Sequence, residues 1–178
     1  IVKGRVIPRL LYTDPITKQQ FEKEVDVPFY KQQQRLLLDA NNKIDPTSIE
    51  DYIAIGGYSA LAKVLSMRSE GVIEEVKISG LRGRGGAGFP TGMKWEFCRR
   101  AIGKEKYLIC NADEGEPGTF KDRVLVNADP HLVIEGTILA GYAVAAARGI
   151  IFIRPSYELM AEVFERELEA ARQAGFLG

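Results

Sequence analysis

Residues 107–153 decide the fold, because they begin and end with short apolar runs, YLIC at 107–110 and IIFI at 150–153. Runs of this length that are rich in aromatic and β-branched residues favour buried strands. Between them, Asp129-Pro130 is a typical helix start, and the apolar spacing extends the predicted helix to about Ala147. The two strands and the helix predict a parallel pair with a right-handed crossover.

A second helix is predicted after the IIFI strand. Ser156 is a cap-type residue, three apolar residues follow at four-residue spacing (Met160, Phe164 and Leu168), and Gly175 marks the end. The order strand, helix, strand, helix therefore predicts an α/β fold, a parallel sheet with flanking helices. Two strands leave the sheet edges uncovered, and a stable sheet normally has more. We therefore expect a fragment of a larger domain, cut where a third strand should begin.

The upstream half divides near residue 46. Residues 1–45 are predicted to form a mainly helical N-terminal extension, with a strand and turn in LLYTDPITKQQ at 10–20. From Asp45-Pro46, a typical helix entry, we predict two short helices separated by Gly56-Gly57, and then a helix over Ser69–Ser79. The predicted domains are therefore the extension, 1–45, and a partial α/β domain, 46–178.

Composition excludes several classes of function. The 24 Lys and Arg residues balance the 24 Asp and Glu residues, so no basic field exists to attract nucleic acid. The longest uncharged stretch, 136–147, is shorter than the roughly 20 residues of a membrane span. No secretion signal is evident at the start of the sequence, so we expect a cytoplasmic protein. The two cysteines, expected to be buried thiols, are too few and too widely spaced for a zinc site or a disulfide framework, and one histidine cannot form a multi-His metal site.

The densest glycine segment is GLRGRGGAGFPTG at 80–92, called the glycine loop below. It holds six of the 18 glycines. It contains GxGxxG, but the preceding segment is predicted helical, so it does not match the dinucleotide fingerprint, which follows a strand. Glycines allow a row of backbone N–H groups to surround an anion, and Arg82, Arg84 and Lys94 add positive charge. An anion site is favoured over a simple tight connector, which would need neither the cations nor Phe89.

The second polar segment is NADEGEPGTFKDR at 111–123, called the acidic loop below, directly after the YLIC strand. Ligands of open α/β sheets bind beyond the carboxyl ends of the strands, where this loop lies. Its four carboxylates and one amide suit the hydroxyl groups of a ribose or ribityl chain. A divalent-metal site built from Asp113, Glu114 and Glu116 is the alternative.

The two loops together closely resemble one family. Residues 80–97 (GLRGRGGAGFPTGMKWEF) and 109–123 (ICNADEGEPGTFKDR) resemble the FMN-binding, NADH-oxidising subunit of respiratory complex I, the 51-kDa type. They also resemble the diaphorase subunits of soluble or electron-bifurcating NAD(P)-linked hydrogenases and formate dehydrogenases. The resemblance extends from about Ile7 to the end and departs from the family at Arg68-Ser69, where a Thr-Pro helix start is common.

The resemblance implies a Rossmann-like FMN domain, incomplete here, and a role for each matching residue. Glu116 matches a catalytic carboxylate beside the nicotinamide, and Phe89 and Phe97 match aromatic residues that stack on the dinucleotide. For Phe97, core packing is the alternative. The family's FMN contacts match Gly83, Arg84, Gly85, Gly86, Ala87, Gly88, Lys94, Asn111, Asp113 and Glu114.

The function implied by the resemblance is hydride transfer from NADH or NADPH to FMN, followed by transfer of single electrons to iron–sulfur clusters. The partners would be iron–sulfur subunits of a multi-subunit hydrogenase, formate dehydrogenase or complex I-like enzyme. The family's 4Fe-4S ligands lie in a C-terminal part that this sequence lacks. The alternative is a truncated nucleotide-binding or assembly module without turnover.

Overall fold

The computed structural model describes residues 6–178, which divide into two compact units, one up to Asp39 and one over Ala40–Gly178. In the first unit, short 3-10 turns at Pro8–Leu10 and Glu24–Asp26 flank an antiparallel hairpin of β1 (Tyr12–Thr13) and β2 (Gln20–Phe21), and α1 spans Pro28–Lys31. The hairpin agrees with the predicted strand and turn. The unit is less helical than predicted, since its helices are single turns, two of which begin at Pro8 and Pro28.

The second unit begins with helices α2 (Ile49–Ala54) and α3 (Ser59–Leu65), split at Gly56-Gly57 as predicted. The predicted helix entry at Asp45-Pro46 is wrong by three residues. The Asp45 carboxylate accepts the backbone N–H and the hydroxyl of Thr47, which closes a turn. Ser48 is the true N-cap, since its hydroxyl oxygen accepts the backbone N–H of Asp51 at 3.1 Å.

Helix α4 (Ser69–Ile78) matches the prediction, whereas α5 (Thr91–Arg100) and α6 (Lys121–Ala128) were not predicted. About half of the residues in each helix are polar, and each helix has one buried residue, Gly92 in α5 and Val126 in α6. Neither helix therefore carries the long apolar run that makes α7 recognisable in the sequence.

The strands are β3 (Tyr107–Ala112) and β4 (Arg148–Ile153), which pair in parallel from Tyr107 opposite Arg148 to Ala112 opposite Ile153. Helix α7 (Pro130–Val144) connects them, and the Asp129 carboxylate accepts the backbone N–H of Leu132 at 3.0 Å. The predicted α/β class, with a small parallel sheet and flanking helices, is thereby confirmed.

Helix α8 (Glu158–Gln173) follows β4 and starts one residue later than the Ser156 cap predicts. The reason is a turn in which the Tyr157 N–H donates to the Arg154 carbonyl at 3.0 Å, so Ser156 lies in the turn and Tyr157 takes the N-cap position. Gly175, at φ +81°, ends the helix as predicted.

One face of the sheet forms the core with α6, α7 and α8, centred on Ala112, Ile134, Met160, Phe164 and Ala171. The other face, with Ile109, Ile150 and Phe152, is exposed. Both cysteines are half-buried rather than fully buried, and burial raises the pKa of the Cys110 thiol. None of the helices between residues 6 and 178 has the length and apolar character of a membrane span.

Candidate functional site

The glycine loop connects α4 to α5, and α5 takes up its last two residues. Its two sides are joined at the base by backbone hydrogen bonds, from Gly83 N–H to the Phe89 carbonyl and from Thr91 N–H to the Leu81 carbonyl, both 2.9 Å. An isolated β-bridge between Arg82 and Pro90 completes this closure. The base is therefore fixed, and the exposed tip carries residues 84–87.

The glycines of this loop differ in what the protein itself requires of them. Gly88 has φ +65°, a left-handed conformation that favours glycine. Gly85 and Gly86 are not in that region, and a Cβ built on either meets no atom within 4 Å. The fold would accept a side chain at both positions. A closely approaching ligand is thus a better reason for glycine there than chain geometry.

Three cations lie in or directly after the loop. Arg82, Arg84 and Lys94 are exposed, and none forms an ion pair with a carboxylate in the described part of the chain. Lys94 lies in the first turn of α5, where unsatisfied N–H groups and the helix dipole also favour an anion. The loop therefore combines backbone donors and positive charge suited to a phosphate.

Phe89 and Phe97 lie next to each other, with ring centroids 6.4 Å apart and ring planes tilted by 51°. Phe89 is 47% exposed and Phe97 is 56% exposed, so core packing does not explain Phe97. Two exposed aromatic rings beside the glycine loop provide a surface on which a planar ring can stack.

The acidic loop begins at the carboxyl end of β3. The Asn111 side-chain oxygen accepts the Asp113 N–H at 3.1 Å, which turns the chain away from the strand. The carboxylates of Asp113 and Glu116 accept no hydrogen bond from another residue of 6–178, and Glu116 is exposed. Both are free to accept hydrogen bonds from a ligand.

Glu114 differs from its neighbours, since its carboxylate is already engaged. One oxygen accepts the Asp122 N–H at 2.8 Å, and the other accepts the Arg123 N–H at 3.2 Å, which caps the start of α6. Burial opposes ionisation, but these two amides, together with the Lys121 charge and the Tyr157 hydroxyl, hold the pKa of Glu114 below its ordinary value. Its carboxylate therefore shapes the loop, which sequence analysis did not predict.

Arg154 and Tyr157 were missed by sequence analysis altogether. The Arg154 guanidinium donates to the Glu114 carbonyl at 3.0 Å, and the Tyr157 hydroxyl lies 3.4 Å from the Glu114 carboxylate. A signal did exist, because Arg154 directly follows the IIFI strand and so lies at the edge of the sheet where ligands bind.

The structure assembles the predicted residues into two separate groups. The first contains the glycine loop with Lys94, Phe89 and Phe97, and the second contains Asn111, Asp113 and Glu116. Within residues 6–178, no hydrogen bond or ion pair joins the groups. No cluster of three or more His, Cys, Asp or Glu side chains in these same residues could hold a metal ion.

A parallel sheet with a polar loop at its carboxyl edge, together with a glycine-rich loop at a helix start, is typical of nucleotide-binding α/β proteins. Comparison with known proteins agrees, because residues 76–176 match the family described as the Nuo51 FMN-binding domain, Complex1_51K. The chain belongs to this family.

Individual relatives come from both branches of the predicted resemblance. The chain is 48% identical over 148 residues to the HndC protein of the NADP-reducing hydrogenase of Solidesulfovibrio fructosivorans, covering 83% of this chain and 30% of the relative. It is 49% identical over 143 residues to an NADH-quinone oxidoreductase component of Aquifex aeolicus, covering 80% and 33%. The chain thus spans about a third of the length of these relatives.

Solved structures agree. The structure of an NAD+-reducing NiFe hydrogenase in the H2-reduced state matches 80% of this chain and 24% of the matched chain, with a TM-score of 0.61 and 39% identity. The same kind of enzyme in the air-oxidised state matches 66% and 23%, with a TM-score of 0.56 and 41% identity.

Proposed function

We propose that this chain supplies the FMN-holding part of an NAD(P)H-oxidising flavoprotein subunit. The observation that carries this proposal is that Gly85 and Gly86 are glycines although the fold has room for a Cβ at both positions. The same loop also holds or adjoins three cations that have no carboxylate partner in the described part of the chain. An anionic ligand lying against the backbone accounts for both features. Membership in the FMN-binding family supports FMN as that ligand.

The residues divide into binding and reaction roles in this proposal. The backbone from Gly83 to Gly88, with Arg84 and Lys94, would hold the FMN phosphate. Asn111 and Asp113 would accept hydrogen bonds from its ribityl hydroxyls. Phe89 and Phe97 would stack on the dinucleotide, and Glu116 would orient the nicotinamide.

When bound, FMN accepts two electrons as a hydride and releases them one at a time. The protein holds the two reactants in contact, which contributes through proximity and orientation. The electrons would pass to iron–sulfur clusters of the remaining polypeptide and its partner subunits. The relatives named as hydrogenase and NADH-quinone oxidoreductase components support this assignment, and a cytoplasmic location belongs to the same proposal.

The test is Gly85→Val in the full-length protein, with Gly103→Val as the matched control. Gly103 is also an exposed loop glycine outside the left-handed region, and a Cβ on it meets only an ordinary contact at 3.8 Å. We expect Gly85→Val to lose FMN, measured by the flavin absorption spectrum after gel filtration, while its circular dichroism is unchanged. Gly103→Val should retain the flavin.

Unchanged flavin content in Gly85→Val would contradict the proposal. Loss of flavin in both variants would show that valine disturbs the fold rather than the site. A wild-type protein that binds FMN but is not reduced by NADH or NADPH would instead support the alternative of a binding module without turnover.

A further inference from the structure

The conformation of the acidic loop depends on Glu114, which has a left-handed backbone at φ +36°. Residues other than glycine seldom adopt this conformation, and they keep it only where the surroundings hold them. The Asn111 turn precedes it and the start of α6 follows it, so a change of backbone at Glu114 would redirect both Asp113 and Glu116.

The carbonyl group of Glu114 is held from the second strand. Arg154, the first residue after β4, donates to it at 3.0 Å. The same guanidinium lies 5.4 Å from the centroid of the Tyr157 ring, which limits the orientations that the arginine can take. Arg154 therefore stabilises the main chain of Glu114 directly.

The side chain of Glu114 is held from the same segment. The Tyr157 hydroxyl lies 3.4 Å from the carboxylate oxygen that also accepts the Arg123 N–H. The Arg123 guanidinium in turn lies 5.9 Å from the Tyr157 ring centroid. Tyr157 thus contacts both the Glu114 carboxylate, which caps α6, and Arg123 in the first turn of α6.

We propose that Arg154 and Tyr157 are positioning residues that fix the acidic loop through Glu114 and so set the affinity for FMN. Only the second half of this proposal, the effect on FMN affinity, rests on the proposed function. Neither residue needs to touch the ligand. Their effect passes through Glu114 to Asn111 and Asp113, the acceptors assigned to the ribityl chain.

The first test examines the loop without any flavin. Amide hydrogen exchange is measured in the flavin-free full-length protein at Asp122 and Arg123, whose N–H groups donate to Glu114. We expect Arg154→Ala to accelerate exchange at both amides by about tenfold, the effect of losing one hydrogen bond to a charged donor. The matched control is Arg148→Ala, an exposed arginine at the opposite end of β4. It should leave both amides unchanged.

The second test measures FMN dissociation constants by flavin fluorescence. Arg154→Ala should weaken binding by about tenfold, and Arg154→Lys, which keeps a cationic donor, should restore part of the loss. Tyr157→Phe should weaken binding less. Because the hydroxyl acts through the carboxylate, Tyr157→Phe should add no further loss in a Glu114→Ala background.

The outcomes separate the two proposals. Wild-type exchange rates at Asp122 and Arg123 in Arg154→Ala would overturn the positioning role, whatever the flavin does. Faster exchange with unchanged FMN affinity would overturn its link to the ligand. Additive losses in the Tyr157 and Glu114 double variant would overturn the route through the carboxylate. A wild-type protein that binds no FMN would overturn the proposed function and leave the exchange result standing.

Discussion

Glu114 and Glu116 are the same residue type two positions apart, and the structure gives them opposite environments. The Glu114 carboxylate is engaged by the amides of Asp122 and Arg123, whereas the Glu116 carboxylate is exposed and accepts no hydrogen bond from residues 6–178. A carboxylate without partners in the protein can respond to a ligand. The sequence favours a ligand site in this loop, but it could not show which of the acidic residues are already engaged within the protein, because that depends on how the loop and α6 meet.

For Glu116 we predict that binding and reaction can be separated. Glu116→Gln in the full-length protein should keep FMN and slow its reduction by NADH by about tenfold or more, because hydride transfer requires an oriented donor at close contact. The measurement is anaerobic stopped-flow bleaching of the flavin. Glu162→Gln, at an exposed position of α8, is the control and should reduce at the wild-type rate.

Loss of FMN itself from Glu116→Gln, or reduction at the wild-type rate, would show that the role given to Glu116 is wrong. A defect that disappears at high NADH concentration would identify Glu116 as a residue that only binds the nucleotide.

At the scale of elements, the contact between α4 and α5 determines where the glycine loop starts and ends. Gly92 in the first turn of α5 packs so closely on α4 that a Cβ there would lie 2.8 Å from the backbone N and 3.0 Å from the Cα of Lys77. Lys77 also forms ion pairs with Glu74 at 2.8 Å and with Glu96 of α5 at 2.9 Å. The last glycine of the loop sequence therefore serves helix packing rather than ligand binding.

This contact predicts that Gly92→Ala destabilises the protein, although alanine is normally the better helix former. Overpacking against backbone atoms that cannot move aside should lower the free energy of unfolding by about 1–3 kcal/mol. The matched control is Gly71→Ala in α4, whose Cβ would make an ordinary 3.6 Å contact with Met67. It should raise stability by roughly 0.5–1 kcal/mol. Urea denaturation measures both, and a Gly92→Ala protein as stable as Gly71→Ala would contradict the packing argument.

Elements with strongly apolar sequences could be predicted, and the less apolar ones could not. The strands β3 and β4 and the helix α7 carry apolar runs, so their existence followed from local pattern, although one face of each strand is exposed. Helices α5 and α6 are short, about half of their residues are polar, and each buries one residue. Gly92 packing on α4 and the Glu114 carboxylate help to hold these two helices, and apolar periodicity reports neither contact. The two misplaced helix starts have a related cause, because Asp45 and Ser156 are cap-type residues that the structure uses in turns instead.

At the scale of the whole second unit, a buried polar network connects the upstream helices to the α/β part. The Glu135 carboxylate in α7 accepts the Tyr52 hydroxyl at 2.6 Å and the backbone N–H groups of Tyr58 and Leu61, both at 2.9 Å. Burial is the main reason that the pKa of Tyr52 is raised, with Glu135 adding to it. The start of α7 was predicted correctly from the sequence. The sequence could not show that Glu135 accepts hydrogen bonds from residues more than 70 positions away.

His131 occupies the centre of this network and is fully buried. One ring nitrogen, Nε2, lies 3.1 Å from the Glu167 carboxylate of α8, and the other, Nδ1, lies 2.9 Å from the Tyr58 hydroxyl. A neutral imidazole satisfies both contacts, since Nε2–H donates to Glu167 and Nδ1 accepts from Tyr58. Burial lowers the pKa of His131 below its ordinary value, although Glu167 and Asp129 oppose that shift.

The network therefore predicts that acid weakens the fold through His131. Because its pKa is lower in the folded protein than the ordinary 6.5, the unfolded chain takes up the proton first as the pH falls. The free energy of unfolding should decrease below about pH 6.5, with a slope of up to about 1.4 kcal/mol per pH unit for one proton.

Urea denaturation at pH 7.5, 6.5 and 5.5 would compare the wild type with His131→Gln, which keeps an amide in place of the ring. Groups that do not interact with the ring cancel in the difference, and the pKa of Asp129 is raised mainly by burial, which both proteins share, with His131 opposing it only in part. The variant should be less stable than the wild type at pH 7.5, and the difference between their free energies of unfolding should be smaller at pH 5.5. Equal slopes in the two proteins would show that His131 is not the group that titrates.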